Sequence, residues 1–294
     1  MGSKTIQPIQ SEKLEADITF KNKRDIIWMA NGSVSATHSA YRGGAIIGFE
    51  GLNTRPPSKF NVQFVDFPFK KVQRYKKYDT ESAFQKYLEI VKQERPKYAV
   101  VPDIDKNVTS EQAYEYAYEL EPYCDKLIVA PKTVHPSTVP DFIRVGIPCQ
   151  KKFSEAPWGI DDYRDCEELH LFGGSPHKHY ELIHDEGLEN VRSMDTSVPL
   201  SSARWGDAWV ITDDGPRWQA EEGGVYGCVE ATFINMHTEF NGHISDSYKR
   251  PWVEKPDYEK YKTCGYPDET VLHPKDSKPF AGREYYEKMT YTRY

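Results

Sequence analysis

Eight short runs of apolar and β-branched residues, repeatedly stopped by Gly, Pro, Asp or Asn, recur from residue 24 onward, and no other feature constrains the fold as tightly. In order they are DIIWMAN (25–31), AIIGFE (45–50), NVQFVD (61–66), KYAVVPD (97–103), KLIVAPK (126–132), IRVGIPC (143–149), ELHLFGG (168–174) and NVRSMD (190–195). Several are apolar along nearly their whole length, the pattern of a parallel strand covered on both faces. Helical periodicity separates the later runs, over 80–94, 109–123 and 175–187. Each of these stretches opens on a residue able to cap it: Thr80, Thr109 and Ser175, the last followed by Pro176 at the favoured first helical position. The spacers GSVSATHSAYRGG and GLNTRPPSK lack that periodicity and predict loops.

Parallel strands alternating with helices predict an α/β fold, here a (β/α)8 TIM-type barrel with short early loops and a C-terminal appendage. An open doubly wound sheet shares the same local signals, although no GxGxxG follows the first strand. The 294 residues suffice for a barrel, which commonly needs about 250. The expected organisation is an N-terminal extension over 1–23, the barrel over 24–206, and a Trp-, Tyr-, Gly- and Pro-rich region over 207–294. That last region is expected to pack on or complete the barrel, with a final helix around TFINMHTEF.

Composition narrows the function classes. No run approaches the ~18 apolar residues of a membrane span and the first residues lack the apolar core of a signal peptide, so the expected compartment is the cytoplasm. The five cysteines (Cys124, Cys149, Cys166, Cys228, Cys264) are scattered and never spaced CxxC, which predicts reduced thiols. Cys228, His237, His243 and Cys264 are the set from which a zinc site could be assembled, but their spacing matches no zinc pattern. A net charge of -7 argues against nucleic-acid binding through a whole-surface field and confines phosphate contacts to local clusters. Two basic stretches interleaved with aromatics, 69–78 and 247–255, supply Lys70, Lys71, Arg74, Lys249 and Arg250 as candidates; a solvated face is the ordinary alternative for such runs. His177, His179 and His184 fall on a helix expected outside the barrel, where a surface position is the plain reading.

In a barrel, polar residues at the C-terminal strand ends converge on one mouth. Three strands end in a carboxylate: Asp66, Asp103 and Asp195. Strand seven ends in Gly173 and Gly174, whose missing side chains allow close approach of a ligand or another backbone, and strands five and six bring Lys132, Thr133, Gly146, Cys149 and Gln150 to the same rim. Aspartate also ends strands simply because it favours turns and caps helices, so local reading leaves both roles open.

The wording of the last two strands, HLFGGSPHKHYELI followed by VRSMDTSVPLSSARWG, resembles the strand seven to strand eight segment of tRNA-guanine transglycosylases. There a YLMGVGTP-like stretch and a helix precede an FDCVxPTR-like stretch. His170 to Pro176 is similar to the glycine-rich turn, Met194-Asp195 to the Phe-Asp pair, and Val198-Pro199 to the following Val/Leu-Pro, with Arg204 near the family's Arg-Asn-Gly. KYAVVPDID and QFVDFPF stand where the family carries FDE and DSGGFQ. The DSGGFQ glycines and the CxCxxC...H zinc signature are absent, and Ala130-Pro131-Lys132 replaces a Gln-Gly pair. The chain is thus more similar to the divergent phage and bacterial branch that places 7-deazaguanine bases in DNA.

What the resemblance implies is a pentosyltransferase that exchanges guanine for a free 7-deazaguanine base in DNA, with tRNA as the alternative substrate. A non-catalytic nucleic-acid-binding barrel subunit is the alternative of another class. Asp195 would be the nucleophile on C1′, Asp66 the proton shuttle, and Asp103 the acceptor for the guanine N1–H and 2-amino donors. Lys132, Gly146, Gly173 and Gly174 would line the base site, Gly146 and Gly173 through their backbone. Phe67, Phe172, Met194 and Trp205 would sandwich the base, and Arg204 would touch phosphate. In a phage the setting would be the host cytoplasm.

Overall fold

The computed structural model describes residues 23–30, 33–149, 156–221 and 224–242. All eight runs form strands: β1 (Asp25–Met29), β2 (Ile46–Glu50), β3 (Val62–Asp66), β4 (Tyr98–Val100), β5 (Lys126–Val129), β6 (Ile143–Pro148), β7 (Leu169–Phe172) and β8 (Val191–Thr196). They pair in sequence order as a closed barrel. The ladder between β1 and β8 is parallel, with Ile27 opposite Asp195, and it closes the ring. That one pairing separates a barrel from an open sheet, because local sequence is the same in both.

The spacer between β1 and β2 is helical, contrary to the loop expected there. Helix α1 (Val34–Arg42) starts where the Ser33 hydroxyl accepts from the Ala36 amide, and Ser35 to Tyr41 are all buried. Val, Ser, Thr and His give it poor intrinsic propensity, so its stability comes from packing, which periodicity alone does not report. The spacer between β2 and β3 does run as turns and irregular chain. Helix α2 (Thr80–Glu94) takes its cap one residue earlier than expected: Asp79, not Thr80, accepts from the Ser82 amide at 2.8 Å. Helix α3 (Ser110–Leu120) has a reciprocal box between Thr109 and Gln112, and α4 (Pro176–Tyr180) is capped by Ser175 and widens into a π-type turn over Glu181–Asp185.

After β8 come a short helix α5 (Val198–Ala203), a hairpin of β9 (Asp207–Thr212) and β10 (Gly215–Ala220), and the long helix α6 (Gly224–Asn241). Helix α6 packs against α1, α5, β9 and β1. Its Phe233 ring meets Trp28 edge-on at 5.8 Å, Glu230 receives three bonds from Arg42, and Asn241 clasps the backbone of Arg24 through the oxygen and nitrogen of its side-chain amide. A Cβ on Gly43 would lie 2.7 Å from both the Glu230 carbonyl oxygen and the Phe233 Cβ, so this glycine lets α1 and α6 touch. The outer layer therefore runs on to residue 241, and its last helix contains TFINMHTEF.

Inside the barrel the side chains are unusually polar below the mouth. Arg144 lies over the Tyr98 ring at 5.1 Å, and buried His170 stacks on Phe64 at 5.5 Å. Tyr87 from α2 donates to the Val65 carbonyl and accepts from the Val100 amide, both at 2.9 Å. It thereby bridges β3 and β4 where their ladder has only two register pairs. No helix among the described residues is long and apolar enough to cross a membrane.

Candidate functional site

The strand ends converge on a pocket of about 300 Å³ at the C-terminal mouth, walled by residues at or just beyond the ends of all eight strands. This is the lower end of the size range of small-ligand sites. Asp66, Asp103 and Asp195 all line it, as do Lys132, Phe67, Phe172 and Gly173. Residues that the sequence did not single out complete the wall, chiefly Glu50, Asn53, Phe69 and Gln73. Glu50 ends β2 as Asp66 ends β3, and that shared strand-end position was the signal available.

Asp195 is 8% exposed. On β8, Ser193 and Asp195 point inward, and the period of two sends Met194 to the opposite face, where it is fully buried and off the pocket wall. Met194 is therefore a packing residue between strand and helices, not a wall for a base. The carboxylate Oδ1 accepts from the Gly173 amide at 3.0 Å and lies 3.1 Å from Nε2 of His170. Gly173 aims its N–H there because it adopts φ 62°, a left-handed conformation that favours glycine.

Gly174 plays a structural part. Its φ is 86°, a Cβ there would meet the Cys149 Cβ at 2.8 Å, and its carbonyl accepts from the Thr196 hydroxyl at 2.8 Å. His179, expected on the surface, is buried: its Nε2 binds the Gly173 carbonyl at 2.6 Å and burial pushes its imidazole down to about 4, so it supports the turn as a neutral donor. His177 is exposed and His184 pairs with Glu239 at 3.2 Å. Gly146 offers no backbone to the pocket. A Cβ there would fall 2.0 Å from the Phe172 ring, so the glycine exists to seat that ring against the wall.

The charges of the pocket fall into three states. Lys132 Nζ is 2.7 Å from Asp103, with side chains 12% and 9% exposed, yet burial outweighs the ammonium and raises the Asp103 carboxyl to about 6. Lys70 pairs with Glu50 at 3.5 Å. Asp66 is held well above the carboxylate range, first by burial and then by the charge of Asp195, and its Oδ1 has no hydrogen-bond partner. Two acids are thus matched by lysines, burial and the charge of Asp195 oppose ionisation of Asp66, and Asp195 meets the Gly173 amide and the His170 ring.

Of the basic candidates, Lys70 lies in the pocket wall with Glu50, Lys71 is bound to the Leu52 carbonyl, and Arg74 rests over the neighbouring Tyr75 ring at 5.7 Å. These three sit on a single π-type turn, Lys70–Arg74. Arg204 ends α5, and neither it nor Trp205 lines the pocket. A second groove of about 1080 Å³ shares Phe67, Phe69, Gln73, Asp103 and Lys132 with the pocket and extends along Lys76, Lys77, Lys86 and Lys106. Lys249 and Arg250 lie outside the described residues, as do Gln150, His243 and Cys264. Cys228 and His237 are nine positions apart on α6, about 13 Å along the axis, too far to share one ion. Among the described residues no group of three His, Cys, Asp or Glu could hold a metal.

Comparison with curated proteins gives no match. A family model described as "Family of unknown function (DUF6610)" matches residues 40–241, from α1 through the end of α6. This span takes in the pocket wall from Glu50 to Ser197, and the chain belongs to that family.

Proposed function

We propose that the protein is a base-exchange pentosyltransferase that replaces guanine in DNA with a free 7-deazaguanine base. The observation that carries this reading is that Asp66 and Asp195 line one pocket, where burial and the charge of Asp195 hold the Asp66 carboxyl well above the carboxylate range. A carboxyl whose ionisation is opposed can serve as the acid while its neighbour serves as the nucleophile. An oxygen of Asp195 attacks C1′ while the C1′–N9 bond breaks, its electron pair leaves with the purine, and the purine takes the proton of Asp66. The incoming base returns a proton to the Asp66 carboxylate and displaces Asp195 from C1′. Two inversions give net retention.

Asp103 accepts the N1–H and 2-amino donors of a guanine-type base, and Lys132 sustains its charge. Adenine presents no such pair of donors. Phe67 and Phe172 supply the flat walls, and the lysine groove that shares residues with the pocket supplies phosphate contacts despite the acidic whole.

Incubation with labelled guanine and either DNA or tRNA tests this. Label is expected in DNA, and Asp195→Asn is expected to abolish it. Label entering tRNA alone would overturn the choice of substrate. Oligonucleotide binding without exchange in either polymer would overturn the enzyme and favour a binding subunit.

A further inference from the structure

Behind Asp195 lies a file of polar groups that runs from Glu168 through Arg144 and Ser193 to His170. Arg144, 6% exposed, donates from Nε and Nη2 to Glu168 Oε2 at 3.2 and 2.8 Å and from Nη1 to the Ser193 hydroxyl oxygen at 2.8 Å. A guanidinium has no acceptor, so the direction of the Ser193 contact is fixed. The Ser193 oxygen lies 2.7 Å from His170 Nδ1, and His170 Nε2 lies 3.1 Å from Asp195 Oδ1. The histidine ring is fully buried, stacked on Phe64 and met edge-on by Phe172 at 4.5 Å.

We infer that Arg144 and Ser193 hold His170 as the neutral Nε2–H tautomer, and that His170 with the Gly173 amide pins Oδ1 of Asp195 and leaves Oδ2 as the oxygen offered to the pocket. This rests on the reading of Asp195 as the reacting carboxylate. The reasoning is one of exclusion. If Nδ1 carried the proton, the Nε2 lone pair would face a carboxylate lone pair in a buried setting, which costs on the order of a lost hydrogen bond to a charged group. With the proton on Nε2, every contact in the file is a donor meeting an acceptor. Burial independently keeps the ring uncharged by lowering its basicity.

The hydrogen bonds that reach Asp195 among the described residues both end on Oδ1. When Oδ2 bonds to C1′, Oδ1 becomes the carbonyl oxygen of the ester and keeps both donors. His170 therefore gives and takes no proton; it is a positioning residue. That separates it from the histidine of a Ser-His-Asp triad, which shuttles a proton.

The test uses the full chain and two readouts. Nitrogen NMR of the imidazoles, with His170 assigned by difference against His170→Gln, is expected to show a protonated Nε2 and a bare Nδ1 at neutral pH. Ser193→Ala is expected to mix the tautomers. A protonated Nδ1, an imidazolium, or an unchanged tautomer in Ser193→Ala would overturn the inference. In exchange assays His170→Leu is expected to lower kcat about 10- to 100-fold with KM held, the loss of one hydrogen bond to a charged group. His170→Gln, whose amide N–H reaches the place of Nε2, is expected to recover most of it. Equal kcat in wild type and His170→Leu, or no recovery with Gln in a folded variant, would also overturn it. If the tautomers behave as expected but wild type exchanges no base, the base-exchange reading falls and the file stands.

Discussion

Replacing Lys132 by methionine keeps the length of the side chain and removes its charge, and the consequence depends on pH in a calculable way. In the wild type the ammonium lies 2.7 Å from Asp103 and the carboxyl titrates at about 6. An unfolded aspartate titrates near 3.9. Because the folded value is the higher one, this group favours folding at low pH, and wild-type stability falls as pH rises from about 4 to about 6. Above about 6 Asp103 is ionised in both states and the loss stops growing. Without Lys132, burial acts unopposed and Asp103 keeps its proton to higher pH, so the loss continues. Over the two units from pH 6 to pH 8, at about 1.4 kcal/mol per unit, Lys132→Met is expected to cost about 3 kcal/mol more at pH 8 than at pH 5. This matches the scale of about 3–5 kcal/mol for breaking a buried ion pair. Urea unfolding of wild type and variant at the two pH values measures it. The same loss at both would refute the claim that burial dominates Asp103.

Three other outcomes are expected. Gly146→Ala forces a methyl to 2.0 Å from the Phe172 ring and should cost about 1–3 kcal/mol in urea unfolding while narrowing the pocket; a neutral change would mean the ring is free to leave the wall. Asp66→Asn removes a carboxyl whose ionisation burial and Asp195 oppose, so the variant should gain stability over wild type as pH rises above 4, with the gain absent in acid, as thermal melts across pH would show. His179→Leu deletes the donor to the Gly173 carbonyl inside a buried turn and should cost about 1–3 kcal/mol, read by denaturant unfolding, with His177→Leu as the unaffected surface comparison.

The chain's own order of residues was enough for the eight strands and for the strand-end positions of Asp66, Asp103 and Asp195, because strand runs and their stops are local properties. Helix α1 escaped because its stability lies in burial against α6, with Arg42 meeting Glu230 at a separation of 188 residues, rather than in periodicity. The same limit hid His179: a position on a helix that lies over a barrel does not say which side faces it. The place of Met194 follows from the period of two, since its neighbour Asp195 faces the mouth.

Sequence by itself determined which groups stand at the ends of strands, since side-chain direction and chain reversal follow from the next few residues. Only the tertiary structure decided what those groups are. Closure of β8 on β1 brings Asp195 into the pocket with Asp66, and burial and that neighbouring charge, not either local sequence, raise the Asp66 carboxyl. Likewise Lys132 and Asp103, Gly146 and Phe172, and the file from Glu168 to His170 are partners across different strands. Their roles depend on distance and dielectric, which a linear sequence does not contain.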